Sequence, residues 1–221
     1  MKQLVLITLL TLFIVNTNYA HTSSLTAEDV VVSGVRMPGK LGYEGKVLHL
    51  NGAGVRTKFF MNIYVAGLYL AEKSSDAEEI INANKAMTVR LHIISAMLTS
   101  STMITAIREG FERSLEGKTD IISKEIEFTC SVFDEEPTKV GDQYDIHFVP
   151  GVGISTSKNG KAYTYAAYKD DFNFNKTKSG RVSIPPGANN IFKKATFGIW
   201  LCDNPVDEAL KDALLGIEDE D

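Results

Sequence analysis

Along this chain, stretches of alternating apolar and polar residues give way to stretches with helical spacing, and the two kinds are segregated. Val30-Val-Val-Ser-Gly-Val-Arg36 reads as a first strand with a turn after it around Pro38-Gly39, and Val47-Leu-His-Leu50 as a second. Leu50-Asn-Gly-Ala-Gly-Val-Arg56 follows and reads as a glycine-relaxed turn, since Gly52 and Gly54 accept positive φ and let backbones approach closely. That turn delivers Arg56 to the head of a long apolar strand over 58–72. Alternate residues of a strand share a face, so Arg56, Lys58, Phe60, Asn62, Tyr64, Ala66 and Leu68 are expected on one side.

Ser74–Ala83 predicts a short helix with Ser75 as N-cap and acidic residues in its first turn. The β-branched alternation of Met87–Ile94 predicts a strand. Met103, Ile107 and Phe111 then form an i, i+4 stripe, so 99–116 reads as a helix closed by Gly117. Residues 119–134 carry an apolar pattern compatible with helix or strand, and a helix paired with the preceding one is favoured. Gln143–Val149 and Ile154–Ser157 read as strands, and Lys158-Asn-Gly160 as a hairpin turn with Ala162–Tyr165 returning. The polar stretch 168–181 is a surface loop or a loose extra hairpin. Ile191–Leu201 predicts an apolar helix, and a last helix starts at Asp203-Asn-Pro205, with Pro205 at its first position and Gly216 closing it. Strands first, then a helical block, a hairpin and more helices argue for α+β, with helices on one face of a largely antiparallel sheet.

The start of the chain changes this picture. Met1-Lys2-Gln followed by the apolar run Leu4–Val15, with Ala20 at a cleavage position, has the form of a secretory signal. The expected organisation is a signal peptide over 1–20, one domain over 21–216 and an acidic tail over 217–221. The mature protein is expected to be periplasmic or secreted, monomeric, and without a stable membrane span once the signal is cleaved. With 221 residues, 44% of them apolar, the chain suits one domain with a sizeable core. A formal charge of −5 with no basic run argues against nucleic acid.

Chemistry-bearing residues are sparse. His49, His92 and His147 lie singly on predicted strands and His21 near the mature start, so no metal set emerges and no cofactor is expected. There is no Gly-x-Ser-x-Gly elbow. Cys130 and Cys202 sit among apolar neighbours, where burial as small hydrophobes is the default and a bridge is the alternative. Thr102, Thr105 and Glu109 share a helix face away from the apolar stripe, facing either a cleft or solvent. Arg56 at the base of an aromatic-edged apolar face suits an anionic small molecule, or else pairs with a buried carboxylate.

Two segments carry a resemblance. Asn51-Gly-Ala-Gly-Val-Arg56 with Tyr64-Val-Ala-Gly-Leu-Tyr-Leu70 resembles the signature of the chalcone isomerase fold family. The closing segment Phe197–Gly216 is similar to that of the family's exported bacterial chalcone isomerase-like branch. The resemblance spans roughly residues 30–216. It implies an open-faced β-sandwich, a large antiparallel sheet covered by a layer of helices, with a ligand cleft between the layers. In the plant enzymes of this family an arginine attracts a phenolate for an intramolecular oxa-Michael ring closure, assisted by threonine and tyrosine hydroxyls. Arg56 matches that arginine, Tyr64 stands where the threonine is expected, and Thr102 and Glu109 stand where a tyrosine and an asparagine are expected. The same fold includes fatty-acid-binding members, in which the resembling arginine and a tyrosine hold a carboxylate, as Arg56 with Tyr64 would.

The first expectation is therefore an exported protein that binds a small apolar organic ligand, a fatty acid or a chalcone-like molecule. Its ligand-binding residues would be Arg56, Tyr64, Phe60, Thr102 and Glu109. One alternative is an intramolecular lyase with Arg56, Tyr64 and Thr102 as catalytic residues, and another is a non-catalytic envelope interaction protein.

Overall fold

The computed structural model describes residues 28–162, 175–176, 182–183 and 188–217. The signal-like segment 1–20, most of the polar stretch 168–181 and the last four residues of the acidic tail lie outside the described residues.

Seven strands form one antiparallel sheet in strict chain order. They are β3 (Lys40–Tyr43), β4 (Lys46–Lys58), β5 (Met61–Leu70), β6 (Met87–Ile93), β7 (Gln143–Val149), β8 (Gly153–Lys158) and β9 (Lys161–Ala162). A separate hairpin joins β1 (Val30–Val32) to β2 (Val35–Met37), and β10 (Asn175–Lys176) pairs with β11 (Val182–Ser183). Helices α1 (Ala77–Asn82), α2 (Ser100–Ser114), α3 (Ser123–Asp134), α4 (Ala188–Leu201) and α5 (Glu208–Leu215) complete the described chain. Helices α2, α3 and α4 pack side by side over one face of the sheet, while α5 lies directly on β4. This is a mixed α+β architecture, as the segregation of patterns predicts.

The sheet is curled. The Tyr43 ring on β3 stacks on His147 of β7 with centroids 3.6 Å apart, and its hydroxyl lies 2.6 Å from Ser155 Oγ on β8. The first strand of the order thus meets the fifth and sixth, which a flat sheet forbids. The face inside the curl has its own small core of Met37, Leu48, Leu50, Val65 and Tyr69. The main core lies between the opposite face and the helices, where Leu68, Val89, Leu91 and Ile146 meet Phe111, Phe133, Phe192 and Phe197.

Several sequence expectations are corrected. The glycines near 50–56 do not make a turn, because β4 runs straight through them and reverses only at Phe59-Phe60. They serve a close approach instead. A Cβ on Gly52 would lie 2.1 Å from the Ala213 carbonyl oxygen, and one on Gly54 would lie 2.6 Å from Ala213 Cβ. Bare backbone on β4 lets α5 settle onto the sheet. Strand 58–72 is accordingly a hairpin arm, yet Arg56 and Tyr64 still share a face because they are cross-strand partners.

The first expected strand is a hairpin turning at Ser33-Gly34, and β3 has too few apolar residues to announce itself. Helix α1 is capped by Asp76, whose carboxylate accepts from Glu79 N at 2.9 Å, rather than by Ser75. Helix α5 begins at Glu208, because Asp207 and not the Asp203-Asn-Pro205 segment supplies the capping acceptor, with Gly216 closing it at φ 68°. Residues 119–134 resolve into a 3-10 turn and α3, the helical reading. Both cysteines are free, and burial pushes the Cys130 thiol up to about 11, so it is an inert core group.

One buried cation ties the helices together. Lys193 on α4 donates to the carbonyls of Ile80, Ile81 and Ala83 at 2.9, 2.7 and 2.6 Å, satisfying the C-terminal end of α1. Burial lowers its amine to about 8.

Candidate ligand cavity

Between the sheet and the helices lies a cavity of about 410 Å³, within the range of roughly 300–1,000 Å³ usual for small-molecule sites. Its walls are mostly apolar: Ile63, Leu91 and Ile146 from the sheet, Met103 and Ile107 from α2, Phe128 and Phe133 from α3, Ile199 from α4. Its exposed lining residues, Lys58, Phe59, Met61 and Met97 among them, form the mouth.

The polar groups gather around Tyr64. The buried Tyr64 hydroxyl accepts a hydrogen bond from Trp200 Nε1 at 3.0 Å. Burial pushes the phenol up to about 12, against the opposing pull of Trp200, Arg56 and Arg113, so it stays protonated at neutral pH. Its oxygen is already an acceptor, so its hydrogen remains to be donated to an acceptor in the cavity.

Arg56 also lines the cavity, but it has a carboxylate partner within the fold. Its Nη1 donates to Asp207 Oδ2 at 3.0 Å and to the Thr57 carbonyl. Asp207 is held in turn, since its Oδ2 accepts from Thr57 N at 3.2 Å and its Oδ1 from Leu210 N at 3.1 Å as the cap of α5. The close seat of α5 on Gly52 and Gly54 is what brings this carboxylate to Arg56.

Arg113 is different. It lines the same cavity from α2, and its Nε is buried with no hydrogen-bond partner among the described residues. Thr196 Oγ1 on α4 is likewise buried, without a partner, and on the cavity wall. An unpaired buried donor costs about 1–3 kcal/mol. Two residues of the cavity wall thus carry a buried polar atom that no described group satisfies.

The expected site residues fall out unevenly. Arg56, Tyr64, Thr102 and Glu109 all line the cavity, Thr102 and Glu109 with exposed side chains on α2. The Thr102 hydroxyl is engaged locally, donating toward the Met97 and Thr99 carbonyls and closing the cap of α2 with Thr99. Glu109 is not the carboxylate paired with Arg56; Asp207 is. Phe60 does not enter the cavity, because the hairpin reverses there and leaves it fully exposed, 103% by area. Sequence reasoning missed Asp207, Arg113, Thr196 and Trp200. Arg113 had a signal, as Thr102, Ala106, Glu109 and Arg113 follow i, i+4, i+7, i+11 and continue the polar face singled out on that helix.

These features define a class: a curled antiparallel sheet covered by helices, with an apolar cavity between the layers and arginine and hydroxyl groups at one place on its wall. The chain belongs to the chalcone isomerase-like family, whose model matches residues 29–177 and 174–216. The crystal structure of a fatty-acid binding protein from Arabidopsis thaliana superposes on it with a TM-score of 0.60 at 16% identity, over 85% of this chain and 96% of that one. That likeness shows a common fold. No curated protein matches the chain.

Proposed function

We infer that this protein binds one small apolar carboxylic acid, with its tail in the cavity and its carboxylate among Tyr64, Arg113 and Arg56. The observation that carries this reading is the cavity-lining Arg113 guanidinium, paired with no carboxylate among the described residues, in the same cavity as a protonated Tyr64 hydroxyl with its hydrogen to spare. A carboxylate supplies acceptors for both, and charge-assisted bonds from a guanidinium are the stronger kind. The apolar wall suits a hydrocarbon tail, and the fatty-acid-binding protein of the same fold gives the class of ligand a precedent.

The ring-closing lyase alternative is less well supported. The resemblance gives the phenolate-attracting role to Arg56, and that arginine is neutralised by Asp207 at 3.0 Å. The Thr102 hydroxyl donates to backbone carbonyls rather than into the cavity. The signal-like start supports a site of action outside the cytoplasm, and a mature chain beginning at His21 by intact mass would bear this out.

The test is native mass spectrometry of the purified protein, run beside a chalcone-consumption assay. A co-purifying apolar acid with no chalcone turnover is expected. Flavanone formed above the spontaneous rate, with no acid bound, would overturn the reading.

A further inference from the structure

The β4–β5 hairpin ends in a feature that the cavity does not explain. The register pairs Lys58 with Met61, so Phe59-Phe60 alone makes the two-residue turn, with φ of 50° and 62°. That left-handed geometry favours Asn-Gly, and bulky residues adopt it against their preference. Both rings are nonetheless offered to water, Phe59 at 77% exposure and Phe60 at 103%. Beside them Met61 and Met97 are exposed as well, and Phe59, Met61 and Met97 line the mouth of the cavity. Lys58 stands behind the tip with its Nζ 5.7 Å from the Phe59 ring.

We propose that the Phe59-Phe60 tip is a membrane-docking element that seats the cavity mouth on a lipid bilayer surface. The proposal rests on the reading of the cavity as an apolar-acid site, because such a ligand partitions into a bilayer rather than into water. A convex tip of two aromatic rings inserts into the acyl boundary, where a concave partner is not required. Lys58 lies where its ammonium reaches the phosphate level while its stem stays with the rings. The apolar patch is continuous with the mouth, so docking opens a path from bilayer to cavity that avoids water.

The test uses the full mature chain with vesicles of phosphatidylcholine and phosphatidylglycerol. Co-sedimentation of the wild type is compared with Phe60→Gly, which suits the backbone at that position, and with Phe60→Trp, which keeps an aromatic ring. Binding of a soluble fluorescent long-chain carboxylate is measured on the same samples. The wild type and Phe60→Trp are expected to sediment with vesicles, and Phe60→Gly to bind them about tenfold more weakly, the loss of one inserted ring. Probe affinity in solution should stay within about twofold, since Phe60 is outside the cavity. Vesicle binding equal in all three proteins, or absent in all, overturns the docking proposal even if the probe binds. A wild type that dimerises through the tip instead of sedimenting overturns it too. Docking that depends on Phe60 without any probe binding would sustain the tip and refute the cavity reading.

Discussion

Seating α5 on bare β4 backbone makes a sharp demand on two glycines. Alanine at Gly52 puts a methyl 2.1 Å from the Ala213 carbonyl oxygen and 2.8 Å from that of Leu214, so only a shift of the whole helix relieves it. Alanine at Gly54 meets mainly the Ala213 methyl at 2.6 Å, a contact that a smaller side chain removes. Overpacking of this kind costs about 1–3 kcal/mol, and Gly52→Ala belongs at the upper end because its obstacle is backbone. Ala213→Gly alone costs about 1 kcal/mol through helix propensity. In urea denaturation, Gly54→Ala with Ala213→Gly should be about 1–2 kcal/mol more stable than the sum of the single effects. Gly52→Ala with Ala213→Gly should be additive. Additivity in both pairs, or a Gly52→Ala cost below about 0.5 kcal/mol, would refute the close-approach account of these glycines. The site is affected as well, because α5 carries Asp207, and its displacement frees Arg56.

Other consequences follow from the same contacts. Asp207→Asn keeps the Oδ1 acceptor that caps α5 but removes the charge that neutralises Arg56 and turns the acceptor facing Arg56 Nη1 and Thr57 N into a donor, so carboxylate affinity should rise by about three- to tenfold while stability falls by about 1–3 kcal/mol. Unchanged or weaker binding would place Arg56 outside the ligand's reach. Tyr64→Phe removes the acceptor of Trp200 Nε1 and the donor to the ligand, and should cost about 1–3 kcal/mol of stability together with acid affinity. Retained affinity in a calorimetric titration would exclude Tyr64 from the head group. His147, held neutral by burial down to about 4 against an ordinary 6.5, links stability to pH. As pH falls from 6.5 to 4 the unfolded chain takes up the proton first, so stability drops by up to about 3 kcal/mol over that window and is flat with respect to this group below it. Unfolding curves of wild type and His147→Asn should differ in slope there, and parallel pH profiles would contradict the assignment.

Much of the fold was legible because periodicity reports which face of an element is buried. The α2 stripe of Met103, Ile107 and Phe111, the strands over 87–93 and 143–149, and the Asn159-Gly160 turn all declare themselves locally. The β4–β5 turn did not, since Phe59-Phe60 has none of the glycine or asparagine that marks such a reversal, while the glycines a few residues earlier mimic one. Those glycines answer to a helix about 160 residues further on, which no local pattern encodes. The pairing of Arg56 with Asp207 spans 151 residues and was beyond reach for the same reason. Arg113 was within reach, one turn beyond Glu109 on a face already picked out, but an arginine near a helix C-terminus also reads as a dipole partner.

If the proposed site is right, the cavity recognises a carboxylate and not merely an apolar body. A titration of the wild type with a long-chain acid and with its methyl ester, which has the same tail and no charge, tests this most directly. Saturable one-to-one binding of the acid is expected, with the ester at least about tenfold weaker, and a preference that shrinks in Arg113→Gln. Equal affinity for acid and ester, or no saturable binding of either, would contradict it.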